Sequence, residues 1–135
     1  MKIVKLGFAL ILTLYFIACG GAPPPTKEVP QEFKAGQTYF HKICSNCHGP
    51  DAMSPGSFKA PKLIDEEYLA ENFSDNDIKE TIQNGTDKMP SQRGKFSNEE
   101  IHEIIKYLRY SQQTAGLIAE EEDGDETEYD EEDAS

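Results

Sequence analysis

Two thiols three positions apart, Cys44 and Cys47, stand directly before an imidazole in the run Cys44-Ser45-Asn46-Cys47-His48. A cysteine sulfur can add across a vinyl group to form a thioether, and a two-residue spacer lets both sulfurs meet one edge of a single porphyrin. His48, next in line, is then placed to bind the iron of that porphyrin as proximal ligand. A zinc site would need a second pair of ligands, yet the third cysteine of the chain is Cys19, far upstream in an apolar leader. A redox dithiol belongs in βαβ surroundings, and no such pattern flanks this pair. The segment therefore predicts one covalently attached haem c, with Cys44 and Cys47 as attachment points and His48 on the iron.

A second axial ligand is sought next. The loop Gly85-Thr86-Asp87-Lys88-Met89-Pro90-Ser91-Gln92-Arg93-Gly94 holds one methionine stiffened by a following proline, and Met89 is the expected distal ligand. Met53 lies five residues after His48, awkwardly placed to reach the opposite haem face. His41 and His102 sit on expected helices, where each reads as a solvated surface histidine.

These residues must be positioned by a small domain. The chain has 135 residues and a formal net charge of −12, but the charge is unevenly placed. Residues 120–135 carry eleven Asp or Glu and no Lys or Arg, so residues 27–119, with 14 acids and 11 bases, are nearly balanced. No basic stripe of the kind that nucleic-acid binding requires is present. The acidic end has too few apolar residues to offset the entropy of ordering it and is expected to be a disordered tail.

At the other end, Lys2 and Lys5 precede an apolar run from Leu6 to Ala18. Thirteen residues are too few to span a bilayer, for which about twenty are needed, so residues 1–18 read as a signal peptide. The sequence Phe16-Ile17-Ala18-Cys19-Gly20 resembles the lipobox of bacterial lipoproteins, in which the cysteine is acylated and becomes the new N-terminus. Residues 19–29, with Pro23-Pro24-Pro25 at their centre, are expected to form an extended tether behind a lipidated Cys19.

The domain itself is expected over residues 30–119. Pro30 suits a helix start, and Phe33, Gly36, Phe40 and Ile43 follow at helical spacing. Gly36 costs a helix interior about 1 kcal/mol relative to Ala, which points to close approach of another backbone. Residues 49–63, rich in Gly, Pro and Ser, read as a loop around one side of the haem. Asp65 could cap a short helix with Tyr68, Leu69 and Phe73 inward. Ser74 with Asp77, and Ser97 with Glu100, place an N-cap hydroxyl three residues before an acid, with Phe73 and Phe96 as hydrophobic staples. The first of these helices stops at Asn84-Gly85, and the second carries Ile101, Ile104, Ile105 and Leu108 to about Tyr110. No strand pattern competes, so the fold class is all-α, with three to five helices packed around one haem.

Over residues 31–110 the chain resembles a class I monohaem cytochrome c, through Gly36, Phe40, the Cys44–His48 signature, Pro61, Leu63, Gly85, Met89 and Tyr107. The resemblance implies that Gly36 and Phe40 of the first helix cross the last helix at Ile104 and Tyr107. It also implies that the Pro61 carbonyl orients the proximal histidine, and that haem is attached outside the cytoplasm. The implied function is one-electron transfer without enzymatic turnover. The carrier would be periplasmic or otherwise extracytoplasmic and lipid-anchored, a monomer or a subunit, passing electrons between respiratory or photosynthetic membrane complexes. The alternatives are a fixed cytochrome subunit of a larger redox complex and, ranked last, a haem enzyme or gas sensor, for which no distal acid–base pair is visible.

Overall fold

The computed structural model describes residues 21–53 and 60–118, so the leader, Cys19 and the acidic tail lie outside the described residues. Four α-helices follow one another: α1 (Lys34–Ile43), the single turn α2 (Ser45–His48), α3 (Asp75–Asn84) and α4 (Asn98–Thr114). Among the described residues there is no strand beyond an isolated bridge between Arg93 and Phe96, in keeping with the all-α expectation.

A 3-10 turn over Gln31–Phe33 leads into α1, so Pro30 begins a tight turn rather than the α-helix itself. The apolar face of α1 lies across α4. A β-carbon built on Gly36 would stand 2.0 Å from the Glu103 carbonyl oxygen and 2.8 Å from the Tyr107 β-carbon, so only glycine lets the two backbones meet. Around that crossing Phe40 packs on Tyr107 with ring centroids 5.6 Å apart, and Phe33 stacks on Tyr110 at 4.2 Å.

Both expected capping boxes form. Ser74 Oγ accepts from the Asp77 N–H while Asp77 accepts from the Ser74 N–H at 2.9 Å, and Ser97 exchanges the same bonds with Glu100. Ile78 and Ile82 of α3 and Ile101, Ile104, Ile105 and Leu108 of α4 then join Phe40, Ile64, Phe96 and Tyr107 in one buried cluster. Gly85 ends α3 at φ 74 and ψ −175, a positive-φ conformation with extended ψ rather than the left-handed helical one.

Two expectations about extent change. The last helix runs one turn beyond Tyr110, to Thr114, because its polar end has buried work: Gln112, 1% exposed, donates to the carbonyls of Leu63 at 3.1 Å and Tyr68 at 2.9 Å. Arg109 beside it bonds Asp75 and the carbonyls of Tyr68 and Phe73. These partners hold the 63–73 segment, in which Asp65 caps only a 3-10 turn over Glu66–Tyr68.

The segment expected to be a free tether is also bonded to the domain over its described part. Residues 23–29 lie along the domain: Ser45 Oγ donates to the Pro23 carbonyl at 3.2 Å, Gln37 Nε2 donates to the Lys27 carbonyl at 2.7 Å, and Val29 packs on the core. A proline run without N–H groups still offers carbonyl acceptors, and side chains of the domain use them.

The crossing at Gly36 can be tested by Gly36→Ala. Overpacking against rigid backbone should lower stability by about 3 kcal/mol, read as a lower urea midpoint at unchanged slope. A midpoint within error of the original would show that the helices separate at no cost.

Candidate functional site

The chain leaves α1 through Cys44 and turns once in α2, which carries Cys47 and His48 on a single short rise. The Cys44 N–H is held by the Phe40 carbonyl at 2.8 Å, and the His48 N–H by the Cys44 carbonyl at 2.9 Å, so the signature continues the helix of α1. Both cysteines are half-buried free thiols. Burial pushes the Cys44 thiol up to about 12, its own backbone hydrogen bond opposing and Cys47 adding to the rise. Redox dithiols work through a depressed thiol, and Cys44 is moved the other way.

His48 is 8% exposed, and its Nδ1 lies 2.9 Å from the Pro61 carbonyl oxygen. A carbonyl can only accept, so Nδ1 carries the proton and Nε2 keeps the lone pair that a metal needs. No hydrogen bond among the described residues engages Nε2. Two thiols and an imidazole so fixed fit a covalently held haem. Among the described residues, no group of three or more His, Cys, Asp or Glu could hold a bare metal ion.

Met89 is half-buried against the core in a loop folded back on the end of α3. Thr86 N–H donates to the Met89 carbonyl at 2.8 Å, Met89 N–H returns to Thr86 Oγ1 at 3.0 Å, and the Gln92 N–H reaches the Ile82 carbonyl at 2.9 Å. Arg93 bonds Asn84 across the same loop. Gly85 makes the fold-back feasible, since a β-carbon there would meet the Met89 carbonyl oxygen at 2.5 Å. Met53 is likewise half-buried on the core, just past the turn that follows His48.

Of the two histidines read as surface residues, His102 is exposed, but His41 is not. His41 is 8% exposed; its Nδ1 lies 2.8 Å from the Gln37 carbonyl and its Nε2 accepts the Asp51 N–H at 3.1 Å. Both ring nitrogens are occupied by the protein, which removes His41 as an iron ligand. Sequence reasoning also missed Asp51, 4% exposed, whose carboxylate accepts from the N–H of Thr26 at 3.0 Å and from its hydroxyl. A signal did exist: Gln37, His41 and Ser45 recur every four residues, a polar row beside the apolar face of α1, and all three are buried.

Two surface hollows, of about 250 and 450 Å³, border Phe33 with Tyr110 and Tyr39 with His102, away from Cys44, His48 and Met89.

Comparison with known proteins gives concordant matches. The family model described as cytochrome C oxidase, cbb3-type, subunit III, matches residues 31–108. A cytochrome c6 of Euglena gracilis is 33% identical over 75 residues, covering 54% of this chain and 85% of that protein. No solved structure matches.

Covalent attachment can be read by mass. Unfolding and organic extraction of the native protein should leave haem on the chain, whereas the Cys44→Ser/Cys47→Ser variant should release all of it. Release from the native chain would refute the thioether assignment.

Proposed function

The chain belongs to the c-type cytochrome family, as a haem-based electron carrier rather than an enzyme, and from that premise we propose a carrier with His48/Met89 ligation, tethered through Cys19 to the outer face of a bacterial membrane. The haem supplies a one-electron ferric/ferrous couple. Cys44 and Cys47 hold it by thioethers, His48 presents Nε2, and the Pro61 carbonyl fixes that tautomer and ring plane. The observation that supports His48 as ligand is the 2.9 Å approach of its Nδ1 to Pro61 O, which leaves the lone pair of the opposite nitrogen available to a metal. For the distal side, the Met89 loop is tied by backbone bonds to Thr86 and Ile82, which supports a ligand that keeps its place in both oxidation states.

The tether reading rests on the Phe16–Cys19 motif, and the docked strap sharpens it. Among the described residues Pro23 is the first bonded to the domain; it stands four residues after Cys19, and four residues span at most about 14 Å. A carrier so held meets membrane-bound donors and acceptors at high effective concentration and serves distant ones poorly. No helix of the described residues is long and apolar enough to cross a membrane.

A second reading, a fixed subunit of a larger redox complex, is favoured by the oxidase subunit named in the matching family model. Co-purification of a stoichiometric membrane complex would select it over a mobile shuttle.

Replacing Met89 with Ala should lower the reduction potential and open the iron to carbon monoxide, because a thioether ligand raises the potential. An unchanged potential and spectrum would transfer the role to another residue, Met53 first. Changing Cys19 to Ser should move the protein from the membrane to the soluble fraction and slow reduction of membrane complexes, while small soluble acceptors are reduced as before. Retention in the membrane fraction would overturn the lipid tether.

A further inference from the structure

Thr26, in the strap of residues 23–29, is bonded to the turn that follows the Cys44–His48 signature, and from there a chain of contacts leads to His48. Thr26 gives its N–H and its hydroxyl to the Asp51 carboxylate. Asp51 is nearly inaccessible to water; its other close neighbours are the imidazole of His41, 3.5 Å away and already accepting the Asp51 N–H, and the Tyr107 hydroxyl, pushed up to about 12 by burial first and by this carboxylate next. A buried carboxylate deprived of its donors is strongly unfavourable, so strap and turn are expected to hold together or open together.

The turn itself is unusual. Asp51 and Ala52 both adopt positive φ, 56 and 57, a region that side-chain-bearing residues rarely enter and that persists only where the surroundings over-determine it. Its product is the direction of the Ala52 carbonyl, which accepts the N–H groups of Leu63 at 3.1 Å and Ile64 at 3.3 Å. Those bonds pin the backbone two residues beyond Pro61, whose carbonyl accepts from His48 Nδ1.

We propose that Thr26 and Asp51 are positioning residues for the proximal histidine: the strap holds the Asp51–Ala52 turn, the turn holds Leu63 and Ile64, and these set the Pro61 carbonyl against His48. The inference rests on His48 as the iron ligand. A hydrogen bond from Nδ1–H to a carbonyl raises the basicity of the ligand and favours the ferric state, so slackening it raises the reduction potential. The segment next to the membrane anchor thereby tunes the couple that the protein carries.

The test uses the intact haem-loaded protein with Thr26→Val, which removes the hydroxyl at constant shape, and Thr26→Ser, which restores it. At fixed poise the ferric-to-ferrous ratio of the valine variant should fall by about threefold or more, and the His48 Nδ1–H should exchange faster with solvent. The serine variant should return both to the wild-type values. A valine variant that melts earlier but keeps its potential and its Nδ1–H exchange rate would reduce Thr26 to a structural role and overturn the proposal. If the variant does not load haem, native-state hydrogen exchange of the wild type decides. Thr26 N–H and His48 Nδ1–H opening with the same free energy supports the path, and independent opening overturns it. Failure of the underlying ligation is separately visible, because a wild-type protein without a hyperfine-shifted His48 ring would reject His48 whatever Thr26 does.

Discussion

At Gly36 the backbone of α1 comes so near the Glu103 carbonyl that no β-carbon fits between them, and the register of the domain follows from that contact. With the crossing point set, Phe40 falls on Tyr107 and Phe33 on Tyr110, and the end of α1 is aimed. Cys44, Cys47 and His48 continue from that end, since the Cys44 N–H is taken by the Phe40 carbonyl and the N–H groups of Cys47 and His48 by the Cys44 carbonyl. The direction in which the imidazole leaves the protein is thus determined at a glycine more than two helical turns earlier.

The segment that carries Pro61 is held by α4 as well. Arg109 and Gln112 reach across to the carbonyls of Leu63, Tyr68 and Phe73, a stretch with little regular structure of its own. Backbone carbonyls buried without secondary structure need donors, and a guanidinium with several N–H groups beside a buried amide supplies them. One helix therefore positions the signature through its apolar face and the Pro61-bearing segment through its polar end. That shared dependence explains how a single helix crossing can hold both the signature and the Pro61 carbonyl that meets His48.

Much of this was legible in the residues. The Cys44–His48 spacing, the two capping boxes and the isolated Gly36 each carry a local physical reason that needs no partner to be recognised. What escaped were residues whose meaning depends on a distant segment. His41 reads as a surface histidine because its polarity is visible and its partners are not: the Asp51 N–H that donates to its Nε2 becomes available only through a positive-φ turn that composition does not signal. Gln112 looks like the polar end of a helix until the carbonyls it serves are known. The strap was read as a free spacer because prolines resist regular structure, yet its bonds are made by side chains of α1 and α2 and by the carboxylate of Asp51. Burial of polar groups is a tertiary fact, and sequence periodicity reports it only where the polar row itself repeats, as Gln37, His41 and Ser45 do.

The caps of α3 and α4 carry a consequence for solution acidity. Hydrogen bonds from the Ser74 hydroxyl and N–H hold the Asp77 carboxyl below its usual range, and Glu99 is lowered by its own backbone N–H and then by Ser97. A carboxyl whose folded value is depressed stabilises the fold above its unfolded value and loses that contribution as the pH falls through the folded one. The α4 cap directly follows the segment from Gly85 to Phe96, which contains Met89, whereas the α3 cap lies at the far end of its helix from that segment. Acid below the ordinary carboxylate range should therefore loosen the start of α4, and with it the Met89-bearing segment that leads into it, before it reaches the helix crossing.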